Sequence, residues 1–298
     1  MSRSKGFSLV ELAVALAIIA LLLAGALIPL STQIDVRNGA DTQRTMESVR
    51  DALIGFAQAN GRLPCPADGS IAAGAVGAGI EQVSGNSCVT VNSASCTAIN
   101  GAAIPCSVVP WATLGTPETD AWGRRFSYRA SPAFADLNAA GTWATTTPAA
   151  QNQPCVPTPV PTAPTSFALC SLGSIAVFTR GGASTTAVVS GAALPAVIVS
   201  HGKNGFGAWQ PNGTRLNPIP VGNDEAANGS GGNTTAIPPG GYSSWTFYSR
   251  TPTPAAAGCV DPVPGATNAA PACEFDDIVV MISSSALIAR MVAAGRLP

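Results

Sequence analysis

The sequence predicts an α+β fold: one long amino-terminal helix, then a head built on an antiparallel β-sheet with long loops. Three observations predict it. An apolar stretch from Phe7 to Leu30 passes into an amphipathic one that ends at Asn60-Gly61. Short alternating segments follow from Arg125 onward, without long helical patterns between them. The chain also carries 31 Gly and 25 Pro, residues that punctuate loops and turns.

The helix is expected from Phe7 to about Asn60. Its first half is apolar all round, as a membrane span or the core of an assembly must be. Pro29 sits inside that half and should kink or locally melt it. From Asp35 onward the pattern becomes amphipathic. Val36, Ala40, Met46, Val49, Leu53 and Phe56 recur at steps of three and four, with Gln43 in the one gap on that face. This stripe should pack on the head. Asn60-Gly61 followed by Pro64-Cys65-Pro66 is a stop signal. Unbroken, such a helix would reach roughly 80 Å, far beyond a small globular head. Its apolar half should therefore project, and it needs lipid or other subunits around it. Four regions follow: a leader at 1–6, an apolar helix at 7–34, an amphipathic half at 35–61 and a head at 62–298.

Composition narrows the function classes. Charged residues are 10% of the chain and the net charge is −1, which gives no electrostatic case for nucleic acid. The eight cysteines are Cys65, Cys88, Cys96, Cys106, Cys155, Cys170, Cys259 and Cys273, all beyond the apolar helix. An even count on an exported chain argues for disulfides. No Cys-x-x-Cys pair exists and His201 is the single histidine, which speaks against zinc. The spacing does not choose among connectivities; Cys88–Cys96 and Cys259–Cys273 are the local pairings to test.

Along the head, residues 67–110 read as a Gly-rich flexible loop. Gly74, Gly77 and Gly79 lack the preceding strand and the following Lys-Ser/Thr of a phosphate loop. Arg125–Arg129 alternates and should be a strand. Residues 148–165 hold six prolines and read as an extended loop. Ser174–Arg180, Thr186–Ser190, Ala196–Ser200 and Ser244–Arg250 are further strand candidates. Residues 210–240 read as a surface loop. Glu274 to Ile282 reads as a last strand entered through an acidic turn. Ser284-Ser285 should cap a final helix from Ala286 to Ala294, closed by Gly295. Enzymatic constellations are weak. A Ser-His-Asp set would need His201 and an unmarked serine, and His201 in its Gly-rich turn reads as solvated or capping. Asp276 and Asp277, as strand neighbours, should point to opposite faces. No enzyme is expected.

The first residues carry the functional reading. Lys5-Gly6-Phe7-Ser8-Leu9-Val10-Glu11-Leu12 places a small residue before Phe7 and one acid inside the apolar run. A carboxylate there is expensive without a partner. The segment resembles the class III signal of type IV prepilins and type II secretion pseudopilins. The resemblance implies a type IV pilin-like fold, cleavage after Gly6 by prepilin peptidase and methylation of the new Phe7 amine. It also implies pairing of Glu11 with the amino terminus of a neighbouring subunit. Cleavage would create that cation in trans. The implied partners are the peptidase, other pilin or pseudopilin subunits, the inner-membrane assembly platform and the membrane itself. The implied location is the bacterial inner membrane, single-pass with the head in the periplasm, then a surface filament or periplasmic pseudopilus.

Two other segments resemble the same family. Asp120-Ala121-Trp122-Gly123 with Tyr128 is similar to the segment where these proteins enter their sheet. Ser200 to Gly207 is similar to the turn of major pseudopilins, with Asn204 where an acid is usual. Those proteins hold calcium beside that turn, so calcium is the one cofactor the resemblance brings in. Asn223, Asp224 and Glu225 lie in the corresponding loop, with Asp276 and Asp277 as further candidates. The large head suits a minor or tip subunit. The alternative is a membrane-anchored periplasmic binding or catalytic protein that never polymerises. A conventional secretory signal would instead be cut near Ala24-Gly25-Ala26.

Overall fold

The computed structural model describes residues 8–84, 87–88, 107–136, 166–169, 171–181, 185–216, 222–236, 243–261 and 270–297. The chain divides into two compact units, Met1–Asp41 and Thr42–Pro298. Helix α1, Leu9–Asn60, is 52 residues long, beginning in the first unit and ending in the second. In the first unit its described apolar side chains, among them Leu9, Val10, Leu12, Leu16 and Leu21, are all exposed. The helix is not interrupted at Pro29, against the expected melting. A proline removes its own N–H from the ladder, and the bonds of the flanking turns are enough to carry the helix through.

The second unit is organised around the last turns of α1. Thr42, Met46, Val49, Leu53 and Ala57 are fully buried there. The expected stripe thus holds at Met46, Val49 and Leu53 but not at its ends. Val36, Ala40 and Gln43 are exposed, and Phe56 is only half-buried, where the Arg62 guanidinium sits over its ring. Gly61 stops the helix at φ 75°, its N–H donating to Ala57 O at 2.8 Å, a left-handed cap that glycine adopts without strain.

The strands in order are β1 (Ala67–Asp68), β2 (Val83–Ser84), β3 (Ser87–Cys88), β4 (Ser107–Val108), β5 (Ser127–Ala130), β6 (Ile175–Gly181), β7 (Thr185–Leu194), β8 (Ala196–Ser200), β9 (Asn233–Ala236), β10 (Ser243–Tyr248) and β11 (Ile278–Ile282). The helices after α1 are α2 (Trp111–Leu114), α3 (Pro132–Ala135), α4 (Asn223–Gly229) and α5 (Ser284–Ala293). A five-stranded sheet runs in the order β1-β4-β5-β8-β11, with every neighbour antiparallel. Its alternation sorts two faces. Tyr128, Ala196, Ile198, Val280 and Ile282 pack with Met46, Val49, Leu53 and Ala57 of α1 and with Leu287 and Met291 of α5. Val197, Val199, Val279 and Met281 pack instead with Ile175, Val177 and Phe247.

Those last three residues belong to a second sheet, ordered β7-β6-β10-β9, in which β10 runs parallel to β6. Among the described residues the single expected sheet is therefore three, counting the two-stranded β2–β3 ladder. The continuous apolar run of β8 is what burial on both faces requires.

Other departures are local. Residues 67–84 are not a plain loop but carry β1, β2 and a run of turns. Gly79, at φ 68°, lies so close to Trp111 that a Cβ would meet the ring at 2.4 Å. Residues 210–240, expected at the surface, include α4 with Asp224, Glu225, Ala227 and Asn228 buried, followed by β9. The final helix is capped by Ser283, one residue before the expected pair, its Oγ accepting the Ala286 N–H at 3.3 Å. The proline-rich segment 148–165 lies outside the described residues.

Among the described residues, two disulfides join Cys65 to Cys88 and Cys259 to Cys273. The second is the local pairing expected. The pairing of Cys88 with Cys96 does not form, because Cys88 is already bonded to Cys65 and sits on the short β2–β3 ladder. Cys96, Cys106, Cys155 and Cys170 lie outside the described residues. Replacing Cys65 and Cys88 together by Ser should lower stability by about 3 kcal/mol. A fall in urea midpoint without a change of slope would report it; an unchanged midpoint would show that this bridge does not constrain the unfolded chain.

Candidate functional site

Gly6 and Phe7 lie outside the described residues, so the site begins at Ser8. Ser8 N–H donates to Glu11 Oε2 at 2.9 Å, and Glu11 N–H donates to Ser8 Oγ at 3.2 Å. This reciprocal pair is a capping box, satisfying two of the donors that a helix start leaves open. It fixes the Glu11 carboxylate on the first turn of α1. The Ser-x-x-Glu spacing announces it in the sequence, a local signal that the reading of the apolar run passed over.

A second group of residues closes one end of the five-stranded sheet. Asp120 accepts the N–H groups of Trp122 and Arg124, each at 2.9 Å, across a turn that needs Gly123 at φ 78°. Its other oxygen accepts Ser200 Oγ at 2.7 Å, tying the turn to the end of β8. The Asp-x-Trp-Gly segment is thus a turn clamp at the entry to β5. His201 follows Ser200 and is fully buried, not solvated. Its Nε2 lies 2.7 Å from Ser127 Oγ and its Nδ1 3.7 Å from Asp277 Oδ1. The sequence does not mark Ser127, because 74 residues separate it from His201. The set resembles a nucleophilic triad only in residue type. The Nδ1–carboxylate distance is too long for a hydrogen bond. The cavity beside Ser127 is about 10 Å³, room for one water rather than an acyl group.

The acids of the calcium reading separate into two groups. Glu225, Asp276 and Asp277 each place a carboxylate oxygen within 4.8 Å of the others. Asp276 and Asp277 precede β11 rather than belonging to it, so they escape the strand alternation expected of them. Asn204 donates from Nδ2 to Glu225 Oε1 at 3.1 Å and from its backbone N–H to Asp276 Oδ2 at 2.8 Å. Asn228 Nδ2 donates to Asp277 Oδ2 at 2.8 Å. Asp276 Oδ1 and Asp277 Oδ1 are buried with no hydrogen-bond partner. Asp224 and Asn223 turn elsewhere. Asp224 Oδ2 pairs with Arg250 Nε at 3.0 Å, and Asn223 Nδ2 donates to Asp261 O at 2.8 Å. An all-oxygen donor set with two unsatisfied buried oxygens fits a hard cation.

Burial pushes the Glu225 carboxyl up to about 8, helped by the neighbouring Asp277 charge. Burial likewise raises Asp276 to about 6. Both values exceed those of an unfolded chain, roughly 4. Between those limits the folded protein binds more protons, so its stability falls as pH rises. In EDTA the melting midpoint should drop between pH 5 and pH 8, and Glu225→Gln should flatten the drop. A wild-type midpoint that held or rose over that range would contradict the burial of this cluster.

Residues 1–27 match the model of the prokaryotic N-terminal methylation motif. This class III signal is typical of type IV pilins and pseudopilins, and it implies a prepilin-like protein processed by prepilin peptidase. The match covers the start of a chain of 298 residues. No curated protein and no solved structure matches the chain. Among the described residues, no helix is long and apolar enough to cross a membrane. The apolar run of the sequence continues through residues 22–30, whose side chains lie outside that description.

Proposed function

We propose that this chain is a structural subunit, minor or tip, of a type IV pilus or a type II secretion pseudopilus. One observation carries the reading: the methylation motif at residues 1–27 spans the start of α1, whose side chains from Leu9 to Leu21 are exposed and, Glu11 apart, apolar. Such a surface is covered in water only by lipid or by other helices. The peptidase cuts after Gly6 and methylates the amine of Phe7. The apolar helix holds the chain in the bacterial inner membrane, head in the periplasm, until the assembly platform draws it into the filament. There Glu11 meets the Phe7 amine of a neighbouring subunit, which offsets the cost of burying its carboxylate. The chain is not an enzyme. A head of this size fits a minor or tip position better than a repeated shaft position. In the alternative reading, an anchored periplasmic protein that does not polymerise, the methylated amine has no partner to find.

The cleavage assignment is open to a direct test. Gly6→Ala should still be trimmed, whereas Gly6→Val should stay at full length because the small residue before Phe7 implies a narrow peptidase site. Normal trimming of Gly6→Val would exclude cleavage at that bond.

We also infer that Glu225, Asp276 and Asp277 would hold calcium, which supplies positive charge to the buried oxygens. Saturating calcium should then remove the fall in melting midpoint between pH 5 and pH 8. A pH profile identical in calcium and in EDTA would speak against this site.

A further inference from the structure

The crevice between the two sheets contains a cation without an anion. Arg129 follows Ser127 on the same face of β5, the face turned to the second sheet. Its guanidinium carbon lies 3.4 Å from the ring centroid of Trp245 on β10. Its Nε is buried and has no hydrogen-bond partner. All 16 Asp and Glu residues of the chain fall within the described residues, and none forms an ion pair with Arg129. Arg129 is partly buried as a residue, and the two arginines whose side chains are at most 3% exposed differ from it. Arg125 is paired with Glu118, and Arg250 with Asp224 and Asp261.

A guanidinium partly withdrawn from water and without an ion-pair partner is costly, and an aromatic face returns only part of that cost. Burial holds the Arg129 guanidinium down to about 9, still cationic at neutral pH. Beside it opens the cavity of about 10 Å³, lined by Ser107, Ser127, Arg129, Val199, Gly231 and Phe247. The space is the size of one water. Its walls are mainly apolar, apart from the guanidinium and two hydroxyl groups. That combination selects for charge and small size together. A guanidinium offers a halide a point of charge and N–H donors. Sulfate, phosphate and carboxylates are too large for the space.

We propose that this crevice binds one halide ion, with Arg129 as its cation and the Ser107 hydroxyl as a second donor. The site is independent of the amino-terminal helix and of the acidic cluster.

The test uses the full-length protein in detergent, with arginine labelled with nitrogen-15 and sodium sulfate as background salt. Chloride and formate are titrated separately at constant ionic strength. The Arg129 Nε–H resonance, assigned by its absence from Arg129→Met, should shift and saturate with chloride and not with formate. The melting midpoint should rise with chloride in the wild type and not in Arg129→Met. The proposal is overturned if chloride gives no saturable shift, if formate or added sulfate gives the same shift, or if Arg129→Met keeps the rise in midpoint. Should Arg129→Met fail to fold, Ser107→Val takes its place in the melting comparison. The wild-type titration, with its sulfate control, then decides by itself.

Discussion

Replacing Glu11 by Val leaves the chain inserted and trimmed but stops it from entering a filament. The substitution makes the apolar run more hydrophobic, so membrane anchoring cannot suffer. It also removes two things at once, the negative charge and the acceptor for the Ser8 N–H. Glu11→Gln separates them, because glutamine retains the capping box without the charge. If assembly depends on pairing with a neighbour's amine, both variants fail. Filaments sheared from a strain carrying only the variant, or secretion by that strain, provide the measurement. Wild-type assembly by Glu11→Gln would mean that the carboxylate serves the helix start and not the neighbouring subunit.

Replacing Arg125 by Leu destabilises the head by about 3–5 kcal/mol, the cost of breaking a buried ion pair from one side. Arg125 is fully buried. Its Nε and Nη2 donate to Glu118 Oε1 at 2.9 and 2.7 Å. Its Nη1 donates to Gly69 O and Ile71 O at 2.8 Å each, and Nη2 also reaches Pro211 O at 3.0 Å. The guanidinium carbon lies 4.5 Å from the ring centroid of Trp111. One side chain thereby ties the turn after β1, the entry to β5 and the loop that follows Trp209. Leucine would strand the Gly69 and Ile71 carbonyls and leave the Glu118 carboxylate without its cation, while Pro211 O keeps the Ala73 N–H. The loss is a large part of a typical net stability of about 5–15 kcal/mol. Arg125→Lys should recover only part of it, since an ammonium cannot reproduce the fork. As a control, Arg37→Leu removes an exposed pair with Asp41 and should change stability by less than about 1 kcal/mol. A urea midpoint for Arg125→Leu close to that control would show that the carbonyls find water instead.

The parts of this fold that were legible in the sequence are those set by local periodicity. Met46, Val49 and Leu53 mark the packed face of α1, and β8 runs from Ala196 to Ser200 as its apolar run predicts. The ends of the helix stripe, Thr42 and Ala57, were not legible. Small or polar residues there carry little hydrophobic signal, while the more apolar Val36 lies at the surface. The second sheet was hidden for a different reason. β6, β7 and β10 each read as strands alone, β9 did not, and the parallel pairing of β10 with β6 joins residues far apart in the chain.

The acidic cluster shows the same limit. Asp224 and Glu225 are adjacent in sequence, yet a helix turns them to different neighbours, one to Arg250 and the other to Asp276 and Asn204. His201 looked solvated because its turn is rich in glycine. Its burial follows from Ser127 and Asp277, which only the assembled sheet brings to it. The capping box at Ser8 and Glu11 was local and readable; the apolar run around it drew the weight of the reading.

The amino-terminal residue of the native protein, extracted from the cell envelope and read by peptide mass spectrometry, tests the central claim most directly. Cleavage after Gly6 predicts a chain that begins at N-methylated Phe7. A chain that begins at Met1, or one cut near Ala26, would contradict it.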